Sequence, residues 1–327
     1  MKYRKLGKTG LEISEISFGC GPTARLMVTG DKQERIHAAD AAMERGINYF
    51  DTAAKYGDGL SEIHLGETLS ALKHRSRPII GTKVALDRED LGNISQAVTR
   101  SVEDSLHRLK LDCVDLIQLH NRAICQRIDP NQRAGIGPLL TVDEILGENG
   151  VVETFKRLKD QGKVRFFGFT TYGGELAAIR KLIDSDEFHV INSEYHMLNP
   201  TAGILTESGN FQPNYEGILN RAAGKGMGIL VIRALAAGRL VVFQPETAAG
   251  QTNKELFDFI KAAADRCQLT APQTAIKFVL SHGGVSTAVL GFSSLQHIEE
   301  AVNSVDRNFQ LDESELMKVL TNSAPVN

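Results

Sequence analysis

Short apolar segments alternate with longer amphipathic segments along most of the chain. Within residues 94–109, apolar side chains recur every three or four positions, at Ile94, Val98, Val102, Leu106 and Leu109, which is the period of a helix with one buried face. The short segments are apolar at nearly every position, which is typical of parallel strands covered on both faces. The pattern therefore predicts alternating strands and helices.

Eight short segments are predicted to be strands: Ile16–Gly19, Asn48–Asp51, Ile79–Thr82, Asp115–Leu119, Val164–Phe169, Val190–Ser193, Ile229–Ile232 and Thr287–Leu290. The predicted helices are Lys32–Arg45, Ser61–Leu72, Asn93–Leu109, Val151–Gln161, Glu175–Ser185, Tyr215–Gly224, Asn253–Cys267 and Ala271–Ser281. Capping residues agree with this assignment, because Asp31 precedes the first helix and Gly46 and Gly162 follow two others.

Eight strand–helix units predict an α/β fold of the (β/α)8 TIM-barrel type. A doubly wound open sheet also alternates, but the count of eight and the uniform composition favour one closed barrel, with residues 1–327 as a single domain. Residues 3–6 and 11–13 predict an N-terminal β-hairpin. Two long loops, Asn121–Thr141 and Met197–Pro213, follow the fourth and sixth strands, at the face where such barrels bind substrates.

Composition narrows the function classes. The 327 residues carry a net charge of −3, which gives no reason to expect a nucleic-acid partner. The N-terminus lacks the apolar core of a secretory signal, and no segment reaches the roughly 18 apolar residues of a membrane span. The cysteines lack metal-type spacing and are expected to be reduced, in the cytoplasm; they are Cys20, Cys113, Cys125 and Cys267.

Ionisable residues end three successive predicted strands. Asp51 ends the second strand, with Tyr56 just beyond it, while Lys83 and His120 end the third and fourth. Neighbouring parallel strands lie about 4.8 Å apart, so these side chains can converge at one rim. Taken singly, each residue has an ordinary structural explanation as a cap, packing group or surface charge. Their occurrence together on consecutive strand ends favours a catalytic site.

The chemistry of this set suits reduction of a carbonyl group. A lysine cation ~4 Å from a phenolate stabilises it by up to ~4 kcal/mol at an effective dielectric near 20. This energy lowers the pKa of the phenol by at most ~3. We therefore predict that Lys83 lowers the pKa of Tyr56 toward neutral pH. Asp51 would keep Lys83 charged, and His120 would orient the carbonyl oxygen. The set suits protonation of a carbonyl oxygen as hydride arrives at the carbon, or the reverse.

These motifs resemble those of the aldo-keto reductase family over nearly the whole chain. The resemblance is carried by RKLGKTGLEISEISFG, GINYFDTAAKYG, IIGTKV, DLIQLH, GKVRFFGFT, INSEYHMLNP and VLGFSSLQHIEEA, in the order and spacing of that family. It implies an NAD(P)-dependent oxidoreductase. The catalytic tetrad of the family falls without substitution on Asp51, Tyr56, Lys83 and His120.

The resemblance also implies a cofactor site with several departures from the family pattern. The Ser-Asn pair that holds the nicotinamide amide falls on Thr170 and Thr171, and a Gln falls on Asn192. The aromatic residue that often stacks on the nicotinamide falls on Ile232. Further residues expected along the nicotinamide and pyrophosphate are Gly19, Arg233, Leu235, Gly238 and Arg239.

At the adenosine end, the basic residues of strongly NADPH-preferring relatives fall on Gly291 and His297, and an adenine-contacting Asn falls on Ala301. The remaining expected contacts are Phe292, Ser293, Ser294 and Glu300. A 2′-phosphate is held best by Arg or Lys, although a helix N-terminus after the serines can bind a phosphate. We therefore expect NADP or NAD as cofactor, with weak discrimination between them.

Several functions remain open at this point. The first is reduction of a small carbonyl compound or oxidation of an alcohol. Some sugar (lactol) 1-dehydrogenases of the family share an opening segment like RKLGKTGLEISEISFG and a seventh strand without the stacking aromatic residue. Oxidation of a sugar is therefore an alternative. Another is a nucleotide-binding, non-catalytic regulatory subunit, against which the intact tetrad argues. A Schiff-base lyase using Lys83 would need a neutral lysine, and Asp51 disfavours one. The sequence predicts neither the substrate nor the oligomeric state.

Overall fold

A computed structural model describes residues 1–72, 75–127, 135–206, 211, 213–241 and 254–322. Its centre is a closed barrel of eight parallel strands, each hydrogen-bonded to its neighbours, with helices outside. The barrel closes because the last strand pairs with the first, aligning Gly291 with Gly19. The (β/α)8 TIM-barrel prediction is therefore confirmed.

The strands, in chain order, are β1 (Tyr3–Lys5), β2 (Glu12–Ser14), β3 (Ile16–Gly19), β4 (Tyr49–Asp51), β5 (Ile79–Val84), β6 (Val114–Leu119), β7 (Ala123–Ile124), β8 (Leu140–Thr141), β9 (Val164–Thr170), β10 (Val190–Glu194), β11 (Gly228–Ile232) and β12 (Thr287–Gly291). β1 and β2 form the predicted antiparallel hairpin. The barrel order is β3-β4-β5-β6-β9-β10-β11-β12, and β7 pairs with β8 outside it.

The described helices are α1 (Leu26–Thr29), α2 (Lys32–Glu44), α3 (Leu60–Ala71), α4 (Ile94–Leu109), α5 (Val142–Leu146), α6 (Val151–Asp160), α7 (Leu176–Asp184), α8 (Ile218–Gly224), α9 (Lys254–Cys267), α10 (Ala271–Ser281), α11 (Leu295–Ser304) and α12 (Glu313–Asn322). None of these described helices is long and apolar enough to span a bilayer.

Most predicted elements differ from the observed ones by only one or two residues at their ends. β5 continues to Val84, so Lys83 lies inside the strand instead of just after it. The sequence reading did not include α1, α5 or α12, since short or exposed helices carry weak periodic signals. Asn253 and parts of both long loops, residues 128–134, 207–210 and 212, lie outside the described residues.

Local chemistry sets the helix ends as predicted. The Asp31 carboxylate accepts hydrogen bonds from the backbone amides of Gln33 and Glu34, and the Glu34 carboxylate accepts one from the Asp31 amide, forming a capping box. Gly46 follows α2 with φ of 86°, a left-handed conformation that favours glycine. These caps fix where the chain leaves each helix and re-enters the barrel.

The N-terminal hairpin closes one end of the barrel. Leu6 is fully buried against the barrel interior, in a cluster with Leu116 and Leu230, and the amide of Lys8 donates to Gly226 O at 2.9 Å. An added Cβ on Gly228 would lie 2.5 Å from Leu6 Cδ1, so glycine is needed for this close approach. Because the hairpin covers the N-terminal ends of the strands, a ligand must enter at the carboxyl ends.

We predict that Gly66→Ala destabilises the protein. Gly66 lies in α3, and an added Cβ would lie 2.6 Å from Arg108 O and 2.8 Å from Leu109 O, backbone atoms of α4 that cannot move aside. Alanine gains about 1 kcal/mol of helix propensity, but overpacking costs roughly 1–3 kcal/mol. Urea denaturation should show a lower free energy of unfolding. Gly283→Ala, which contacts nothing within 4 Å, is the control; equal stability of the two variants would contradict the prediction.

Candidate active site

The four predicted catalytic side chains converge at the carboxyl ends of adjacent strands. Asp51 ends β4, Lys83 lies in β5, and His120 follows β6, while Tyr56 lies in the turn after β4. β4 pairs with β5 and β5 pairs with β6, so the three strands deliver their polar side chains to one place. Strand pairing thus brings together residues that are far apart in the sequence.

Lys83 is the centre of this cluster, and its side chain is 2% exposed. The ammonium forms an ion pair with the Asp51 carboxylate and donates to Thr52 O at 2.8 Å. It also lies 3.4 Å from the Tyr56 hydroxyl. All three contacts fix the position of the ammonium, so the Tyr56 hydroxyl lies beside a buried cation.

Two further residues, which the sequence reading missed, hold Asp51. Tyr49 Oη and Gln118 Nε2 each donate to Asp51 Oδ2 at 3.2 Å. Tyr49 lies two residues before Asp51 on the same strand, and Gln118 is aligned with Lys83 across the β5–β6 pair. Gly81 leaves space for Tyr49, because a Cβ there would overlap its hydroxyl. In the sequence, the available sign of this role for Gln118 is that it is a polar residue within the apolar run DLIQLH.

His120 lies across the Tyr56 ring. The two rings meet edge to face with centroids 5.7 Å apart, and His120 is 7% exposed. Among the described residues, His120 Nδ1 is buried and has no hydrogen-bond partner. A buried polar group without a partner is uncommon in proteins, and here it lies beside the proposed reacting position.

The ionisation of Lys83 follows from its neighbours. Burial alone would lower the pKa of this ammonium, but attraction to Asp51 and the contact with Tyr56 outweigh burial and raise it. Lys83 is therefore a cation at neutral pH. The expectation that Asp51 keeps this lysine charged agrees with the structure, and a neutral Schiff-base lysine does not fit it.

The pKa of Tyr56 shifts in the direction opposite to our expectation. Withdrawal from water raises the pKa of the phenol, and although Lys83 lowers it, the Asp51 charge raises it again. The net shift is upward from the ordinary value of 10.0. Burial of the phenol is the largest of these effects, larger than the attraction to Lys83 on which our expectation rested. Tyr56 is thus a protonated phenol throughout the neutral range.

The pKa of His120 falls to about 3, because burial disfavours the imidazolium and the nearby Lys83 cation repels it. The imidazole is therefore neutral at any ordinary working pH. A neutral imidazole carries one N–H group, so His120 can donate one hydrogen bond to an oxygen without competing with Tyr56 as an acid.

The side chain of Asn192 supports the predicted nicotinamide site. Asn192 lies in β10, is fully buried, and neither its amide nitrogen nor its amide oxygen has a partner among the described residues. A carboxamide ligand would pair with both atoms. The hydroxyls of Thr170 and Thr171 are instead engaged, with His120 O at 3.3 Å and with Ser193 Oγ at 2.9 Å.

The loop after β11 brings cations and an unusual backbone to the same rim. Arg233 has φ of 58° and Ala237 has φ of 57°, and Gly238 follows with φ of 93°. Such conformations are costly for residues other than glycine and concentrate at functional sites. Leu235 is partly buried, and Arg239 Nε donates to Ala236 O at 3.1 Å. This loop presents two guanidinium groups where a pyrophosphate was predicted.

The segment after β12 combines binding and structural groups. Ser294 caps α11, and Ser293 Oγ lies 3.1 Å from His297 Nδ1, both exposed at the helix start. Phe292 is buried against Phe18 and can offer only its backbone. Glu300 accepts a bond from Thr270 Oγ1 at 2.6 Å, which ties α11 to α10. Gly19 and Gly291 lie side by side on paired strands.

Comparison with known proteins agrees with this architecture. Residues 15–320 match the model of the Aldo/keto reductase family. The chain is 28% identical to L-galactose dehydrogenase of Arabidopsis thaliana, covering 100% of this chain and 95% of that protein. It is 25% identical to a probable voltage-gated potassium channel subunit beta of the same plant, covering 94% and 92%.

The fold is also that of a solved relative. The holo form of aldo-keto reductase AKR11C1 from Bacillus halodurans superposes with a TM-score of 0.73, at 23% identity, covering 100% of this chain and 97% of that one. The structural likeness shows that this chain shares the (β/α)8 barrel fold of that protein. The chain belongs to the aldo/keto reductase family, whose members are NAD(P)-dependent oxidoreductases acting on small carbonyl substrates.

We predict that His120 stays neutral from pH 8 down to pH 5. Its folded-state pKa of about 3 lies below this window, so no proton binds within it. Imidazole ¹⁵N chemical shifts, assigned with His120→Gln, should stay constant for His120 over this range. A titration midpoint above pH 5 would contradict the assigned environment.

Proposed function

We propose that this protein transfers hydride between the nicotinamide C4 of NADP or NAD and the carbonyl or alcohol carbon of a small substrate, with Tyr56 as the proton donor or acceptor. The observation that carries this proposal is the position of the Lys83 ammonium, buried between Asp51 and the Tyr56 hydroxyl. His120 faces the same phenol, so acid, cation and hydrogen-bond donor share one small volume.

In the reductive direction, the Tyr56 hydroxyl gives its proton to the substrate oxygen as the carbonyl carbon is reduced. Lys83, 3.4 Å away, stabilises the phenolate that this transfer leaves behind. The neutral His120 donates a hydrogen bond to the same substrate oxygen and orients it. Asp51 acts through Lys83 by holding it charged and in place.

The residues of the chain fit a dinucleotide along the rim. Asn192 would hold the carboxamide, Arg233 and Arg239 the phosphates, and Ser293, Ser294 and His297 the adenosine end. Hydride donation or acceptance is the chemistry that NADPH or NADH and their oxidised forms supply when bound. Because no Arg or Lys follows β12 in the segment 291–297, we propose weak discrimination between NADP and NAD.

Oxidation of a sugar lactol is a second candidate. It is supported by the full-length similarity to a protein named L-galactose dehydrogenase. In this direction the phenolate of Tyr56 accepts the proton of the sugar hydroxyl as hydride leaves its carbon. The same four residues serve both directions, so the direction depends on the substrate and nucleotide available.

Replacement of Tyr56 by Phe tests the assigned acid. Tyr56→Phe should lower kcat by at least ~10²-fold, as expected for loss of general acid catalysis, while the Kd for NADPH changes little because the hydroxyl is not needed to hold the nucleotide. Steady-state kinetics and calorimetry measure the two effects. Tyr3→Phe removes an exposed hydroxyl that bonds Gly46 O and should behave as wild type. Retention of wild-type turnover by Tyr56→Phe would exclude Tyr56 as the acid.

The raised pKa of Tyr56 predicts different pH dependences of kcat/KM for reduction and for oxidation. Reduction needs the phenol, which persists across pH 6–9, so its kcat/KM should be nearly flat. Oxidation needs the phenolate, whose population grows about tenfold per pH unit below the pKa, so its kcat/KM should rise through pH 9. Rates with one aldehyde and one sugar, followed by nicotinamide absorbance, measure both profiles. Oxidation that reaches a plateau by pH 7 would show that the acid is another group.

A further inference from the structure

An arginine without a partner lies two residues after His120. Arg122 follows β6, and its side chain forms no hydrogen bond or ion pair with any described residue; its Nε atom is buried without a partner. Arginine is almost never desolvated without compensation. Consecutive Cα atoms are 3.8 Å apart, so the Cα atoms of His120 and Arg122 lie within about 7 Å. The backbone of Arg122 therefore lies close to that of His120.

The Arg122 guanidinium belongs to a stack of three side chains, in which Arg122 and Arg233 both lie over the ring of Tyr172. It lies 5.2 Å from the centroid of the Tyr172 ring, and Arg233 lies 4.1 Å from the same centroid. The three residues follow β6, β9 and β11, so the stack extends across the carboxyl ends of the barrel strands. Gly173 leaves space for the guanidinium, because a Cβ there would lie 2.6 Å from Arg122 Cζ.

The two arginines of this stack differ in their charge balance. Arg233 Nη1 lies 3.7 Å from Glu194 Oε1, and the same carboxylate interacts with His196 at 3.1 Å and with the Tyr215 hydroxyl at 3.3 Å. Arg122 has no carboxylate of its own among the described residues. Among the described residues, this stack thus contains two guanidinium groups and one neighbouring carboxylate, so its net charge is positive and can attract an anion.

We propose that Arg122 binds a carboxylate carried by the substrate, so that the preferred substrates are aldehydes, ketones or lactols with an anionic acid group. A planar guanidinium matches a carboxylate through two parallel hydrogen bonds. This proposal rests on the proposed oxidoreductase function and names the substrate class. It makes Arg122 a specificity-determining residue, with Tyr172 as the surface that orients it.

A nucleotide phosphate is the other anion that can reach an arginine. The groups that suit a pyrophosphate and adenosine follow β11 and β12, whereas Arg122 follows β6, which is separated from β11 in the barrel by β9 and β10. In the chain, Arg122 comes two residues after His120, whose ring lies edge to face with that of Tyr56. These positions favour the substrate carboxylate, and the experiment separates the two anions.

The test compares matched acid and ester substrates. The wild-type protein, saturated with NADPH, is given 3- and 4-carboxybenzaldehyde and their methyl esters, which differ in charge but little in carbonyl reactivity. We expect kcat/KM for the better acid to exceed that of its ester by at least about tenfold. Arg122→Met should lower this ratio about tenfold or more, mainly through KM of the acid. Arg122→Lys, which keeps the charge but not the planar face, should retain part of the preference.

Arg100→Gln is the matched control, because Arg100 lies on outer helix α4, is 59% exposed and pairs with Asp90; it should keep the wild-type ratio. The Kd of each variant for NADPH is measured by calorimetry, and so is the binding of benzoate to the NADP-loaded protein. We expect Arg122→Met to leave the NADPH affinity within about twofold and to lose benzoate binding.

Three results would overturn the proposal: no acid preference in the wild type, an equal fall for acid and ester in Arg122→Met, or a tenfold weaker NADPH affinity with an unchanged ratio. The last result would assign Arg122 to a nucleotide phosphate. If the wild type turns over none of the substrates, the proposed function fails, and benzoate binding still decides whether Arg122 holds a carboxylate.

Discussion

The buried ion pair between Lys83 and Asp51 is the interaction on which the site depends. An ammonium inside a barrel is costly unless it is paired and hydrogen-bonded, and loss of one partner of such a pair costs roughly 3–5 kcal/mol. Here Thr52 O, Tyr49 and Gln118 complete the hydrogen bonds of the pair. The pair thus keeps a cation beside a phenol in a place from which water is excluded.

Satisfied and unsatisfied polar groups divide the barrel mouth into two zones. Around Asp51 and Lys83 most buried polar atoms have partners among the described residues, and Gln118 Oε1 is the exception. Toward the opening, His120 Nδ1, both amide atoms of Asn192 and Arg122 Nε are buried without described partners. Unpaired buried groups cost free energy, so a ligand that pairs with them is favoured. The positions of these unpaired atoms therefore indicate which hydrogen-bonding groups a ligand would present at the carboxyl ends of the strands.

The shape of the barrel explains why both zones lie at the carboxyl ends of the strands. The hairpin fills the N-terminal end, and Leu6 packs among interior side chains of the strands. The strands then end together at the opposite face, where loops after β6, β9 and β11 contribute Arg122, Tyr172 and Arg233. The strands carry the proposed catalytic residues, and the loops carry the groups that we propose bind the substrate.

The sequence by itself determined the order of the barrel strands and their helices, and it predicted the four side chains that the structure brings together at the proposed reaction centre, because periodicity, caps and strand ends are local properties of the chain. It did not determine how Tyr56 ionises, since that depends first on burial of the phenol and then on the opposing charges of Lys83 and Asp51, which paired strands bring beside it. Nor did it reveal the bonds of Tyr49 and Gln118 to Asp51, or the stack at Tyr172. Those contacts join segments far apart in the chain, and only closure of the barrel brings them within a few ångströms.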